Sequence, residues 1–181
     1  MPQYIAFLRG INVGGHRIKM DQLRAHFEEM GLMDVSTFIA SGNVIFTADS
    51  EDVGDLSAKI EKYLAEKLGY EVATFLRTPA QLDVMAAFEP PEGEDCAGSI
   101  TSIYVALLRD PAPDDMKARF GDLASESDRF WFAGSEVYWG LQGKMSDSPL
   151  FGKGLDPAFK GAATTSRNMN TLRRLTAKFS T

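Results

Sequence analysis

Cysteine is almost absent from this chain of 181 residues, and the single thiol, Cys96, excludes both an intramolecular disulfide and a thiolate zinc cluster. Histidine is nearly as scarce: His16 and His26 stand without a third ligand in any metal-binding spacing, so no metal site is expected. No apolar run approaches the roughly 20 residues needed to cross a bilayer, which excludes a membrane partner of that kind. Low-complexity tracts and Gly-X-Y periodicity are also missing. The opening "MPQYIAFLRG" carries no basic segment ahead of its short apolar run, so no signal peptide is expected and the chain reads as cytoplasmic.

What is present is an ordinary globular composition, 44% hydrophobic and 24% charged, with a formal net charge of −6. That total argues against generic nucleic-acid binding, but the charge is unevenly placed. Residues 1–24 carry four Lys/Arg against one acid, and residues 140–181 carry seven against two. The stretch 25–139 carries eight against twenty-two, so both chain ends are basic and the centre is acidic. If the basic ends meet they form a patch that focuses an anion; otherwise they are solvated surface charge.

The apolar pattern predicts an α+β chain. "QYIAFLR" (3–9) reads as a buried strand, and Met20, Leu23, Phe27 and Met30 form the stripe of a helix stopped by Gly31. "DVSTFIASGNVIFTA" gives two strands turning at Ser41-Gly42-Asn43. A helix capped by Ser50 follows, with Val53, Leu56, Ile60, Leu64 and Leu68 inward and Gly69 at its end. "YEVATFLRT" is a fourth strand, and Thr78-Pro79-Ala80-Gln81 opens a further helix to about Phe88. The order β-α-β-β-α-β is that of a ferredoxin-like subdomain over 1–88. The acidic, proline-bearing stretch 89–99 reads as an exposed linker. Residues 100–181 read as a smaller β-α-β-β-α unit with a final helix carrying Leu172, Leu175 and Phe179 inward. Its element order echoes the first half, with no residue-level repeat expected.

The loop "RGINVGGHRIK" (9–19) is the main candidate site. Gly10 and Gly15 satisfy the glycine spacing of a phosphate-binding P-loop, but His16 and Arg17 stand where Lys and Ser/Thr are required, so nucleotide hydrolysis is excluded. A weaker role fits: Gly14 and Gly15 let backbone N–H groups converge, while Arg9, Asn12, Arg17 and Lys19 supply donors for a phosphate or carboxylate. The alternative is that the glycines provide positive φ for a turn. The loop is longer than most strand-to-helix connections, which favours function.

Ser41 and Asn43 can add polar contacts or only close a hairpin. Thr164-Thr165-Ser166-Arg167-Asn168 precedes the last helix, where Arg167 can fork onto a phosphate and Ser166 or Asn168 can cap. Phe130, Trp131, Phe132, Tyr138 and Trp139 crowd one hairpin; packing is the stronger reading, base stacking the weaker. The third strand lacks the basic-aromatic signature of an RNA-recognition motif. No nucleophile motif or distinguishable carboxylate pair is present, and Cys96 in an acidic stretch is a poor nucleophile.

"LRGINVGG" (8–15), "STFIASGNVIF" (36–46) and "TTSRNMNTLRRL" (164–175), in this order, resemble the bacterial domain-of-unknown-function 1697 family. The resemblance implies an α+β chain of two subdomains, the first ferredoxin-like. It implies no reaction, cofactor or catalytic residue. Its recurring polar positions fall on Arg9, Asn12, Gly14, Gly15, Ser41, Gly42, Asn43, Arg167 and Asn168, and Met169 stands where the family usually has tryptophan.

Three functions remain open from sequence. The first is a module binding an anionic small molecule or a nucleic-acid backbone through 9–19, Ser41–Asn43 and 164–168. The second is an enzyme on a phosphorylated or carboxylated small molecule clamped by Arg9 or Arg167, and the third a protein-interaction domain using the acidic middle.

Overall fold

The computed structural model describes residues 1–94 and 98–179. Cys96 and the centre of the expected 89–99 linker lie outside the described residues. The chain divides into two compact units, Met1–Asp83 and Val84–Thr181.

The first unit contains strands β1 (Gln3–Leu8), β2 (Met33–Phe38), β3 (Asn43–Thr47) and β4 (Thr74–Arg77), with helices α1 (Met20–Glu29) and α2 (Val53–Leu68). Helix α3 (Pro79–Ala86) follows β4 and carries the division between the units. The strands form an antiparallel sheet in the order β2-β3-β1-β4, so α1 and α2 each cross over a strand placed between the two they connect. This is the split β-α-β-β-α-β arrangement the apolar pattern predicts. Tyr4, Ala6 and Leu8 of β1 share one face with Val44, Phe46 and Leu76, and on it pack Leu23 and Phe27 of α1 and Leu56, Ile60 and Leu64 of α2. The helix stripes were legible because each repeats at three and four residues. Asp52, not Ser50, caps α2: its carboxylate accepts the Asp55 N–H at 2.9 Å, and Ser50 Oγ accepts the Asp52 N–H one step earlier. A charged acceptor against the helix N-terminus is the stronger of two adjacent caps.

The second unit repeats the plan. Strands β5 (Ser102–Leu107), β6 (Asp128–Ala133), β7 (Glu136–Leu141) and β8 (Thr165–Asn168) pair antiparallel in the order β6-β7-β5-β8. Its helices are α4 (Asp114–Leu123), α5 (Asp156–Phe159) and α6 (Met169–Thr176). Strand β8 corrects the expectation that 164–168 is only a loop before the last helix. Serine and asparagine disfavour strands, and β8 exists because β5 offers it an edge, with Tyr104 opposite Asn168 and Leu107 opposite Thr165. Phe179 lies beyond the end of α6, while Leu172 and Leu175 are buried as expected.

The repeat also extends to residues, against expectation. "YIAFLR" (4–9) recurs as "YVALLR" (104–109), and "DQLRAHF" (21–27) as "DDMKARF" (114–120). The buried pairs Leu23–Phe27 and Met116–Phe120 occupy matching places in α1 and α4. Both sheets close with the same bond, Leu8 N–H to Gly42 O and Leu108 N–H to Ser135 O, each 2.8 Å. The repeat escapes a fixed-period search because the offset between matching residues is 100 before the first helix and 93 within it.

The crowded aromatics serve the core. Trp131, Tyr138 and Trp139 are buried, and Phe130 and Phe132 pack against Phe120 at 4.9 and 5.7 Å between centroids. Gly140 is required here: a Cβ on it would lie 2.6 Å from the Trp131 ring. Phe88 stacks on Tyr138 at 3.7 Å, and Glu94 accepts the Trp131 indole N–H at 2.5 Å.

Candidate functional site

The 9–19 loop has a fixed base and an open tip. Ile11 and Ile18 are buried in the core beneath α1. Asn12 ties the base together: its amide donates to Ala40 O at 3.1 Å, and its oxygen accepts the Ile18 N–H at 2.8 Å. Ala40 belongs to the β2–β3 turn, so Asn12 joins the glycine loop to the Ser41–Asn43 hairpin. Gly42 has φ +77°, and a Cβ there would lie 2.7 Å from Ile11 Cγ2, so only glycine lets the turn approach the loop this closely. Asn43, fully buried, donates its amide to Phe38 O at 3.0 Å and to Ser41 Oγ at 2.8 Å, closing the turn.

Above this base, residues 13–17 are exposed. Gly14 and Gly15 have φ of +62° and +89°, and the His16 N–H turns back to Val13 O at 3.1 Å. The backbone N–H groups of Gly14, Gly15 and Arg17 have no partner among the described residues. Arg9, Arg17 and Lys19 are exposed, and none forms an ion pair there. Asp21, in the first turn of α1, is the nearest acid in sequence. The His16 ring stacks on Tyr70 with centroids 3.8 Å apart and planes 22° from parallel. The Tyr70 hydroxyl donates to Ile11 O at 3.3 Å, and burial pushes its pKa up. Tyr70 was not read as a candidate from sequence; it follows the helix-ending Gly69, and nothing in its spacing points to a residue 54 positions earlier.

Arg167 and Asn168 belong to the second unit. Arg167 is 7% exposed, and its guanidinium donates to Thr165 Oγ1 at 2.8 Å and Ser166 O at 2.9 Å. Burial lowers its pKa to about 10, which still leaves it charged at neutral pH. Asn168 caps α6 by accepting the Asn170 N–H at 2.8 Å, which settles the choice between Ser166 and Asn168 as the cap. Asn168 also lines a polar cavity of about 240 Å³ with Thr101, Asn170, Arg173 and Glu89, in which Arg173 pairs with Glu89 at 3.3 Å. Met169 is 2% exposed and acts as packing.

One polar centre was missed from sequence altogether. Asp128 is fully buried, and its carboxylate accepts Trp139 Nε1–H at 2.8 Å, Ser148 Oγ–H at 2.7 Å and Ser127 Oγ–H at 2.9 Å. Of these donors Ser148 lies in the β7–β8 crossover, so the carboxylate fastens that segment to the start of β6. Among the described residues no group of three or more His, Cys, Asp or Glu can hold a metal ion, and no helix is long and apolar enough to cross a membrane.

Comparisons with known proteins place the chain by family and by fold. No curated protein matches it. The solved structure of the conserved bacterial protein SP0830 from Streptococcus pneumoniae is similar with a TM-score of 0.80 at 22% identity, covering 100% of this chain and 99% of that one. At that identity the likeness shows a shared fold. A family model described as a protein of unknown function, DUF1697, matches residues 1–138. The chain therefore belongs to the DUF1697 family, described as proteins of unknown function.

Proposed function

We propose that the protein is a binding module for an anionic ligand, a nucleotide or a nucleic-acid backbone, held at the tip of the 9–19 loop. The observation that carries this reading is the comparison between the two repeats. The second unit makes the same strand-to-helix connection through 109–113, entering α4 past the buried Ala112, as the first enters α1 past the buried Ile18. The drop in offset from 100 to 93 means that the first unit spends seven more residues on it. The fold closes without those residues, so a turn alone does not account for them. They supply an ordered base, paired glycines with open N–H groups, and the exposed cations Arg9, Arg17 and Lys19, a combination suited to phosphate oxygens.

In this reading Asn12, Ser41 and Asn43 shape the platform, because Asn12 bonds Ala40 O and the Ile18 N–H while Asn43 bonds Phe38 O and Ser41 Oγ. Arg167 and Asn168 are a separate candidate within the other unit, a weaker one because the guanidinium is buried and already donating.

The test is a thermal-shift panel of phosphate, sulfate, nucleotides, sugar phosphates and short oligonucleotides at two salt concentrations. A ligand at one hundred times its Kd adds about 2.7 kcal/mol. The expected result is a shift from one anion class that is lost in Arg9→Ala and Arg17→Ala and kept in Arg167→Gln. Loss in Arg167→Gln alone moves the site to the second unit, and no shift from any anion removes the reading.

A further inference from the structure

We propose that His16 stacks a nucleobase, so that the anion taken by the glycine loop is a nucleoside phosphate, free or as one residue of a single strand. The inference rests on the anion-binding reading and narrows its ligand.

The exposed tip carries one ring, and that ring is already oriented. His16 is exposed, yet one of its faces lies on Tyr70 at 3.8 Å, and Tyr70 is in turn tied to the loop through Ile11 O. A ring on a solvent-exposed glycine loop otherwise samples several rotamers, and fixing it costs entropy before any ligand arrives. Here Tyr70 meets that cost within the protein, and the outer face of the imidazole is left to solvent. A third flat ring laid on that face extends the Tyr70–His16 pair. Every base presents a π-face, so such a platform is tolerant of sequence. The neighbouring residues fit the remainder of a nucleotide. Arg17 and the open N–H groups of Gly14 and Gly15 adjoin His16 in the chain, which places phosphate donors within one nucleotide of the stacking face. Tyr70 itself is half-buried and covered by His16, so His16 is the ring that meets the base.

The experiment compares adenosine monophosphate, ribose 5-phosphate, inorganic phosphate and a short single-stranded oligonucleotide, each titrated against the full chain by calorimetry. The expected result is that the nucleotide binds about tenfold more tightly than ribose 5-phosphate, the factor that one base stacked on an aromatic ring provides. His16→Ala removes that difference and leaves ribose 5-phosphate binding unchanged, while His16→Phe keeps it. A single strand that outbinds the mononucleotide, with steep loss of affinity in salt, identifies the polymer as the source; equal affinity identifies the free nucleotide. Equal binding of nucleotide and sugar phosphate by the wild type overturns the inference and leaves the anion reading standing. Absence of binding by any of the four overturns both.

Discussion

The two units solve one topology with different materials, most visibly in the crossover to the last strand of each sheet. In the first unit that crossover is α2, which lays Leu56, Ile60 and Leu64 on the sheet and ends at Gly69. In the second it is an irregular stretch with the short α5, held by Phe159 on Phe120 and by the hydrogen bond from Ser148 to the buried Asp128. Arg119 adds a donor to Ala158 O at 2.9 Å while pairing with Asp115. Apolar burial holds both crossovers, and a satisfied carboxylate adds to it in the second. The strand-to-helix connections differ in the opposite sense: the second unit's is short, the first unit's long, exposed at its tip and basic. Both units carry exposed cations on an irregular segment, Arg9, Arg17 and Lys19 in the first and Lys144, Lys153 and Lys160 in the second, but the second unit's segment interleaves Asp147 and Asp156 with them and the first unit's loop holds no acid.

The largest effect tests the shared part of the plan. Phe27 and Phe120 occupy equivalent buried places, and truncation of either to alanine is expected to cost about 3–5 kcal/mol. Both tryptophans lie in the second unit, so Phe120→Ala is read by denaturation followed by indole fluorescence and Phe27→Ala by far-ultraviolet dichroism. A cost under 1 kcal/mol at one site breaks the equivalence.

Asp128→Ala sharpens the contrast between the crossovers. It strips an acceptor from buried donors and is expected to cost about 3 kcal/mol, with Asp128→Asn about half as costly because one oxygen remains. Indole fluorescence of Trp139, which donates to this carboxylate, checks it. A neutral Asp128→Ala contradicts the fastening role.

The matched turn residues Gly42 and Ser135 give a smaller difference. Gly42→Ala meets both a positive φ and Ile11 Cγ2 at 2.7 Å, so about 2 kcal/mol is expected. Ser135 has no positive φ, and Ser135→Ala is expected to fall within about 0.5 kcal/mol of wild type. Equal costs, from urea denaturation of the two variants, would remove the argument that Gly42 is fixed by the loop it faces.

The smallest effect is electrostatic. The Tyr63 hydroxyl, on α2, bonds Glu29 on α1 and, with His26 and Lys67, holds that carboxyl below its ordinary value of 4.5. Arg119 does the same for Asp115 below 3.8. A lowered folded pKa gives stability that is present above the ordinary value and lost as pH falls through the folded one. Glu29→Gln is therefore expected to flatten the acid limb of the melting profile below about pH 4.5, where this carboxyl begins to protonate in the unfolded chain. An unchanged limb contradicts the pairing.

The first unit was largely legible because its helices are long enough to show their stripe and its strands are rich in aromatic and branched residues. The second was less so. Strand β8 is Thr-Ser-Arg-Asn, whose residues favour caps over strands and which pairs only because β5 is there. The Ser125–Asp128 stretch has the composition of a turn, and its buried carboxylate depends on Ser148 and Trp139 arriving from elsewhere. The repeat was hidden by the same loop that gives it meaning. At the site, the exposed cations and the glycine turn were visible as residue types. The commitment of Asn12 to Ala40 and Ile18, and the pairing of His16 with Tyr70, depend on contacts between segments far apart in sequence.

The most direct measurement replaces the exposed tip, Val13–Arg17, with Ser-Gly-Ser while keeping Ile11, Asn12 and Ile18, and compares thermal midpoint and ligand shift with wild type. The account predicts a midpoint within a few degrees of wild type, since a surface loop's length costs only about 0.6 kcal/mol per doubling, and complete loss of the shift given by the anion that stabilises the parent. A variant that keeps the full ligand shift, or one that no longer folds, contradicts the claim that the tip binds ligand and is dispensable to the fold.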